Sequence, residues 1–168
     1  MSEILVQVRE KSIEAVHEGD IKALYELVET YNDDLTDEIE QGLYGNILDL
    51  ALELLTNKLE TKDKLSLEDI QERFTLRALY EYAISHYSGE KFLDAKALFE
   101  VLQNVAKEEK FIYSMKIHAF ACSLNINIDT FLDKYCLLNE KMDDFYIKEF
   151  TKEVQNLLDK GKELRDNR

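Results

Sequence analysis

An all-α fold is what this sequence predicts, on three observations. Proline is absent from the 168 residues and glycine occurs five times, so few positions break a helix. Leu, Glu and Lys are abundant, and apolar residues recur in steps of three and four along most of the chain, the period of a buried helical stripe. β-Branched runs bounded by turn pairs, which would announce strands, do not occur. The expected architecture is helical hairpins packed as a bundle or a short solenoid, about seven to nine helices in all, in one domain over residues 1–168. With 45% apolar content, a chain of this size buries roughly 70% of its unfolded surface, so no disulfide or metal staple is required.

The elements follow in order. Ile4, Leu5, Val8, Ser12, Ala15 and Val16 trace a first helical face, broken at Gly19-Asp20, and Ile21, Leu24, Leu27, Val28 and Tyr31 trace a second. Asn32-Asp33-Asp34 is a turn cluster. A short helix is expected from Thr36 or Asp37, with an interruption at Gly42 to Gly45 before Ile47, Leu48, Ala51, Leu54, Leu55 and Leu59 make a third stripe. Glu60 to Leu65 reads as a charged loop. Ser66 and Asp69 then supply a capping arrangement, a side-chain oxygen meeting a free backbone N–H and acid favouring the positive helix end, for a helix running to Tyr87. Phe111, Ile112, Met115, Ala119 and Cys122 mark a later helix stopped at Asn125 to Asn127, with Asn127 or Asp129 capping a short one around Phe131 to Leu138. An amphipathic C-terminal helix is expected over 143–165. Its seam, Ile147, Phe150, Val154, Leu157, Gly161 and Leu164, has one glycine flaw, and it docks on the body of the protein.

The segment Leu79 to Gln103 is the most informative. One helix over Leu79 to Ser88 and a second over Phe92 to Val105 place Ala83 and Ala95 where two backbones approach, with Phe99 filling the space the alanines leave and Ser88-Gly89 turning the chain. The placing of Ala83, Tyr87, Phe92, Ala95 and Phe99, with Asp94, resembles one tetratricopeptide repeat over 79–105. It departs from that pattern at Gly89, one residue before the usual turn glycine, and at Lys107, where the repeat has proline. Within that superfamily the spacing from Ala83 to Phe99 is similar to the small acidic chaperones of type III secretion translocators. In size, acidity and helical character the chain also resembles the co-chaperone of the flagellin export chaperone FliS.

The resemblance implies a groove that holds export cargo, lined by Arg77, Tyr80, Ile84 and Tyr87. Tyr suits such a groove because its ring buries area while its hydroxyl stays usable. The alternative reading of the same helix is that it is central and wrapped on all sides. Tyr25, Tyr44, Tyr113 and Tyr135 read as core filling.

A net charge of -14 repels phosphate backbones and anionic headgroups, so neither nucleic acid nor a membrane surface is an expected partner. Asp33-Asp34, Asp37-Glu38, Glu108-Glu109 and Asp143-Asp144 read as solvated helix starts. Cys122 and Cys136 form no C-x-x-C pair and lie in apolar segments, which suits buried thiols in a reducing compartment, so the cytoplasm is expected. MSEILVQVREKS has neither the cationic start and long apolar core of a secretory signal nor a membrane span.

Chemistry finds little purchase. His118 and Cys122 share a helix face at i and i+4, a spacing that could hold a metal or pair a thiolate with an imidazole, but two ligands do not make a site. No phosphate loop, H-E-x-x-H or calcium loop occurs. No catalytic, cofactor or metal residue is therefore assigned. The leading expectation is a non-enzymatic protein-binding adaptor, a chaperone or co-chaperone of flagellar or type III export. The alternative is a small helical enzyme or ligand-binding domain with an internal pocket, where His118, Cys122 and a buried acid meet. A third is a homodimeric subunit joined through the Ile147 to Leu164 seam.

Overall fold

The computed structural model describes residues 2–138 and 144–166, and these are all-helical, with eight helices and no strand. They are α1 (Glu3–Glu18), α2 (Ile21–Thr30), α3 (Asp37–Thr61), α4 (Ile70–Ser88), α5 (Phe92–Val105), α6 (Glu109–Ser123), α7 (Ile128–Thr130) and α8 (Val154–Asp166); α7 continues as a π-helical turn over Phe131–Tyr135. None of these helices is long and apolar enough to cross a membrane. Contacts cluster into two compact units, Met1–Ala78 and Leu79–Arg168, whose boundary falls inside α4.

In the first unit α1 starts at Ser2, whose Oγ accepts the Leu5 N–H at 3.2 Å, and ends on Gly19 in the left-handed region at φ 67°. Asp20 Oδ1 opens α2 by accepting the Ala23 N–H at 3.0 Å, and it also accepts the Gln71 Nε2–H at 2.8 Å. Gln71 Oε1 in turn accepts the Ile21 N–H at 3.0 Å. One amide thus pins the start of α4 to the start of α2 by satisfying N–H groups that a helix end leaves without partners. Asp69 caps α4, its Oδ1 accepting the Glu72 N–H at 3.0 Å, and Ser66 Oγ accepts the Glu68 N–H at 3.1 Å.

The expected interruption at Gly42 to Gly45 is absent, and α3 runs through both glycines from its Thr36 cap. Each glycine costs a helix about 1 kcal/mol. Burying Leu43 and Ile47, 3% and 2% exposed, on the same turns returns about 1.5 to 3 kcal/mol apiece, and the helix persists.

In the second unit α5 occupies Phe92–Val105 as the spacing predicts, and Ala83, Ala95 and Phe99 are fully buried. Ring pairs join α4 to α5: Tyr87 meets Phe92 at 6.1 Å and Phe99 at 6.2 Å. α5 packs along α6, and α6 along α8.

The C-terminal helix begins at Val154, later than expected; residue 143, where the sequence reading starts it, lies outside the described residues. Residues 144–151 instead form a strap on α6. Ser114 Oγ donates to the Ile147 carbonyl at 2.6 Å, and the Phe111 and Tyr146 rings meet at 4.9 Å. An antiparallel bridge pairs Cys136 with Phe150, with the Leu137 N–H donating to Glu149 O and the Thr151 N–H to Tyr135 O, both at 2.9 Å. Backbone groups satisfied this way have no need of i→i−4 partners. Along α8 the seam residues Val154, Leu157 and Gly161 are buried. A Cβ at Gly161 would lie 2.5 Å from the Phe120 ring, so the glycine flaw is the point where α8 lies against α6.

Candidate functional site

The four expected groove residues fall in different units. Arg77 belongs to the first: its guanidinium lies 4.0 Å from the Tyr25 ring centroid and its Nη1 is 3.2 Å from Glu29 Oε1. Tyr80, Ile84 and Tyr87 belong to the second. Tyr80 and Tyr87 are 4% and 0% exposed, so their rings are interior rather than open to a ligand, and Ile84 is half-buried.

Both tyrosine hydroxyls are used inside the unit. Tyr87 donates to the Ile126 carbonyl at 2.6 Å. Tyr80 Oη lies 2.9 Å from His118 Nε2, and His118 Nδ1 lies 2.6 Å from the Ser114 carbonyl. A carbonyl only accepts, which assigns the ring proton to Nδ1 and leaves Nε2 to accept from Tyr80. With Ser114 donating to Ile147 O, a polar chain runs from α4 through α6 to the strap. Rings enclose it: Phe99 at 4.8 Å and Phe131 at 5.0 Å from the fully buried His118.

This cluster holds neutral groups. Burial pushes the His118 pKa down to about 4, and the Ser114 carbonyl opposes that only in part. Burial raises both tyrosines well above their ordinary range and pushes the Cys122 and Cys136 thiols up to about 12. A thiolate and an imidazolium, the reactive forms of a Cys–His pair, are thus both disfavoured here. Among the described residues no three His, Cys, Asp or Glu side chains converge as metal ligands. These hydrogen bonds orient α4, α6 and the strap within the unit.

Outward-facing features lie elsewhere. A groove of about 330 Å³ among α5, α6 and α8 carries Lys96, Lys116 and Arg165 above Phe120 and Gly161, with Lys96 paired to Glu100 at 3.5 Å. A second groove, of about 280 Å³ along α1 and α2, has a floor of Ala15, Ala23 and Leu27 and a rim that includes Glu14, Glu18 and Glu26. Of 13 exposed large apolar side chains among the described residues, eight lie in the first unit, which makes it the candidate interaction surface. On α1 these include Val6, Ile13 and Val16. On α3 they are Tyr44, Leu52 and Leu59, with half-buried Leu48 in line.

Helical periodicity alone groups Ile47, Leu48, Ala51, Leu54, Leu55 and Leu59 as one stripe. The signal for a second face was present: Leu48, Leu50, Leu52 and Leu54 stand at every second position, so at 3.6 residues per turn they divide between two sides that one neighbour cannot cover together.

Comparison with known proteins adds no relative: no protein-family model, no curated protein and no solved structure matches this chain.

Proposed function

We propose that this chain is a non-enzymatic, cytoplasmic protein-binding adaptor, most concretely a chaperone or co-chaperone of flagellar or type III export. The observation that carries the reading is the outward apolar surface of α1 and α3 in a strongly acidic chain. Contiguous apolar surface rimmed by polar groups marks sites of protein association, and helical cargo binds by laying an apolar face against such surface. The hairpin of α4 and α5, with Ala83 and Ala95 fully buried at its contact, supports the likeness to a tetratricopeptide repeat and so to the export chaperones. With Tyr80 and Tyr87 interior, the docking surface is placed on the first unit in this reading, and Arg77, Ile84 and the two tyrosines support the scaffold.

Affinity capture of the tagged protein from its own cells, followed by mass spectrometry, tests this. The expected result is recovery of an export substrate or export chaperone, lost when Ile13→Ser, Val16→Ser, Leu52→Ser and Leu59→Ser are combined. Recovery of general chaperones alone, or of no specific protein, would overturn it.

A further inference from the structure

We propose that the α3 row is the docking face for a basic amphipathic helix of the partner protein. This deepens the adaptor reading and rests on it. Tyr44, Leu48, Leu52 and Leu59 stand at i, i+4, i+8 and i+15, one side of a helix, over about 22 Å at 1.5 Å per residue. That span accommodates about four turns of a docked helix with anchors at i, i+3, i+4 and i+7. The core takes Leu43, Ile47, Ala51 and Leu55 from the adjoining face of α3, and Tyr44 reaches the core Tyr25 ring at 6.5 Å, while Leu52 and Leu59 stay exposed.

Charge selects the occupant. Each of the three leucines is followed by an exposed acid, Leu48-Asp49, Leu52-Glu53 and Leu59-Glu60, which sets a carboxylate edge along the row. The sole basic residue of α3, Lys58, lies 3.7 Å from Glu72 and is already compensated. Across residues 1–78, 19 acidic and eight basic side chains leave -11, most of the chain's -14. Lysine and arginine flanking an apolar stripe complement this edge, and such pairing sets encounter rate and partner choice. A second copy of this chain brings the same carboxylates against themselves, and an anionic lipid surface is repelled for the same reason.

The test uses the full chain and a synthetic 18-residue amphipathic peptide with a Leu/Ile face flanked by lysines, titrated by fluorescence anisotropy beside the same peptide with glutamates for lysines. The lysine peptide is expected to bind at least tenfold more tightly, and to weaken as salt is raised. Leu52→Ser with Leu59→Ser should reduce its binding tenfold or more, whereas Leu93→Ser, at an exposed position of the second unit, should leave it unchanged. Asp49→Lys with Glu53→Lys should transfer preference to the glutamate peptide, an outcome that general stickiness or misfolding cannot produce. Equal binding of the two peptides, or lysine-peptide binding indifferent to the leucine variant, overturns the proposal. So does a concentration-dependent dimer in sedimentation that the leucine variant abolishes, because the face then belongs to a second copy. If captured partners survive the α3 leucine changes but are lost with Ile13→Ser and Val16→Ser, the adaptor reading stands and this face does not; if the wild-type protein captures none, the adaptor reading itself fails.

Discussion

Residues 1–78 and residues 79–168 solve opposite problems with the same helical vocabulary. The first unit carries -11 and most of the exposed apolar side chains; the second carries 16 acidic and 13 basic residues, a net of -3, and turns a Tyr–His–Ser chain and a shell of rings inward. Polar groups buried with partners define one arrangement of a core, whereas apolar groups left outside define a surface for something else. The difference teaches that the second unit packs aromatic rings into its own interior, whereas the first leaves Leu52, Leu59 and the α1 residues outside.

The largest effect that should separate the units comes from substitution across them. Phe99→Ala should cost about 3 to 5 kcal/mol by emptying a fully packed position, and Tyr80→Asp, by burying a carboxylate, should prevent folding. Leu52→Ser and Leu59→Ser, on exposed positions, should each stay within about 0.5 kcal/mol. Urea denaturation followed by circular dichroism compares them, and equal losses in both sets would erase the distinction between interior and docking residues.

Next in size is the response to acid. An unfolded histidine takes up its proton near pH 6.5 and His118 in the fold only near 4, so between these values the unfolded chain holds more protons and stability rises with pH. The contribution is complete above pH 6.5 and is lost as pH falls to 4, about 3 kcal/mol at roughly 1.4 kcal/mol per unit. The Tyr80→Phe, His118→Leu double variant removes both partners of the hydrogen bond. Urea melts from pH 7 to pH 4 should show it losing less stability than the wild type across that window; parallel curves would mean that His118 is not held neutral.

Glycine sharpens the contrast with a change of sign. Gly161→Ala sets a Cβ 2.5 Å from the Phe120 ring and should cost about 1 to 3 kcal/mol through overpacking. Smallest of all, Gly45→Ala meets nothing within 4 Å and should stabilise by about 1 kcal/mol through helix propensity. Thermal melts of the two variants should move in opposite directions.

Much of this fold is legible in sequence because its helices are amphipathic at a constant period and its turns are marked by Gly19-Asp20 and Asn125 to Asn127. The second helix of the pair over 79–105 is bounded to the residue at Phe92–Val105, whereas the first reaches back to Ile70, beyond the Leu79 at which the repeat spacing starts it. Three features could not be read. Gly42 and Gly45 announce a break that burial of their neighbours overrides. Ile147 and Phe150 keep helical spacing, yet lie in a strap whose backbone pairs with residues 135–137, a long-range choice that local periodicity does not encode. Tyr80 and Tyr87 are amphipathic enough to line a groove, and only the partners brought by α6 and Ile126 decide that they face inward.

The clasp between residues 135–137 and 149–151 also gives the second unit an internal reporter of its own opening. The Leu137 and Thr151 amides donate across it at 2.9 Å to partners distant in sequence, so they are shielded from solvent exchange only while the strap stays in place. Hydrogen exchange at these two amides therefore reads release of the strap apart from fraying at the end of α8.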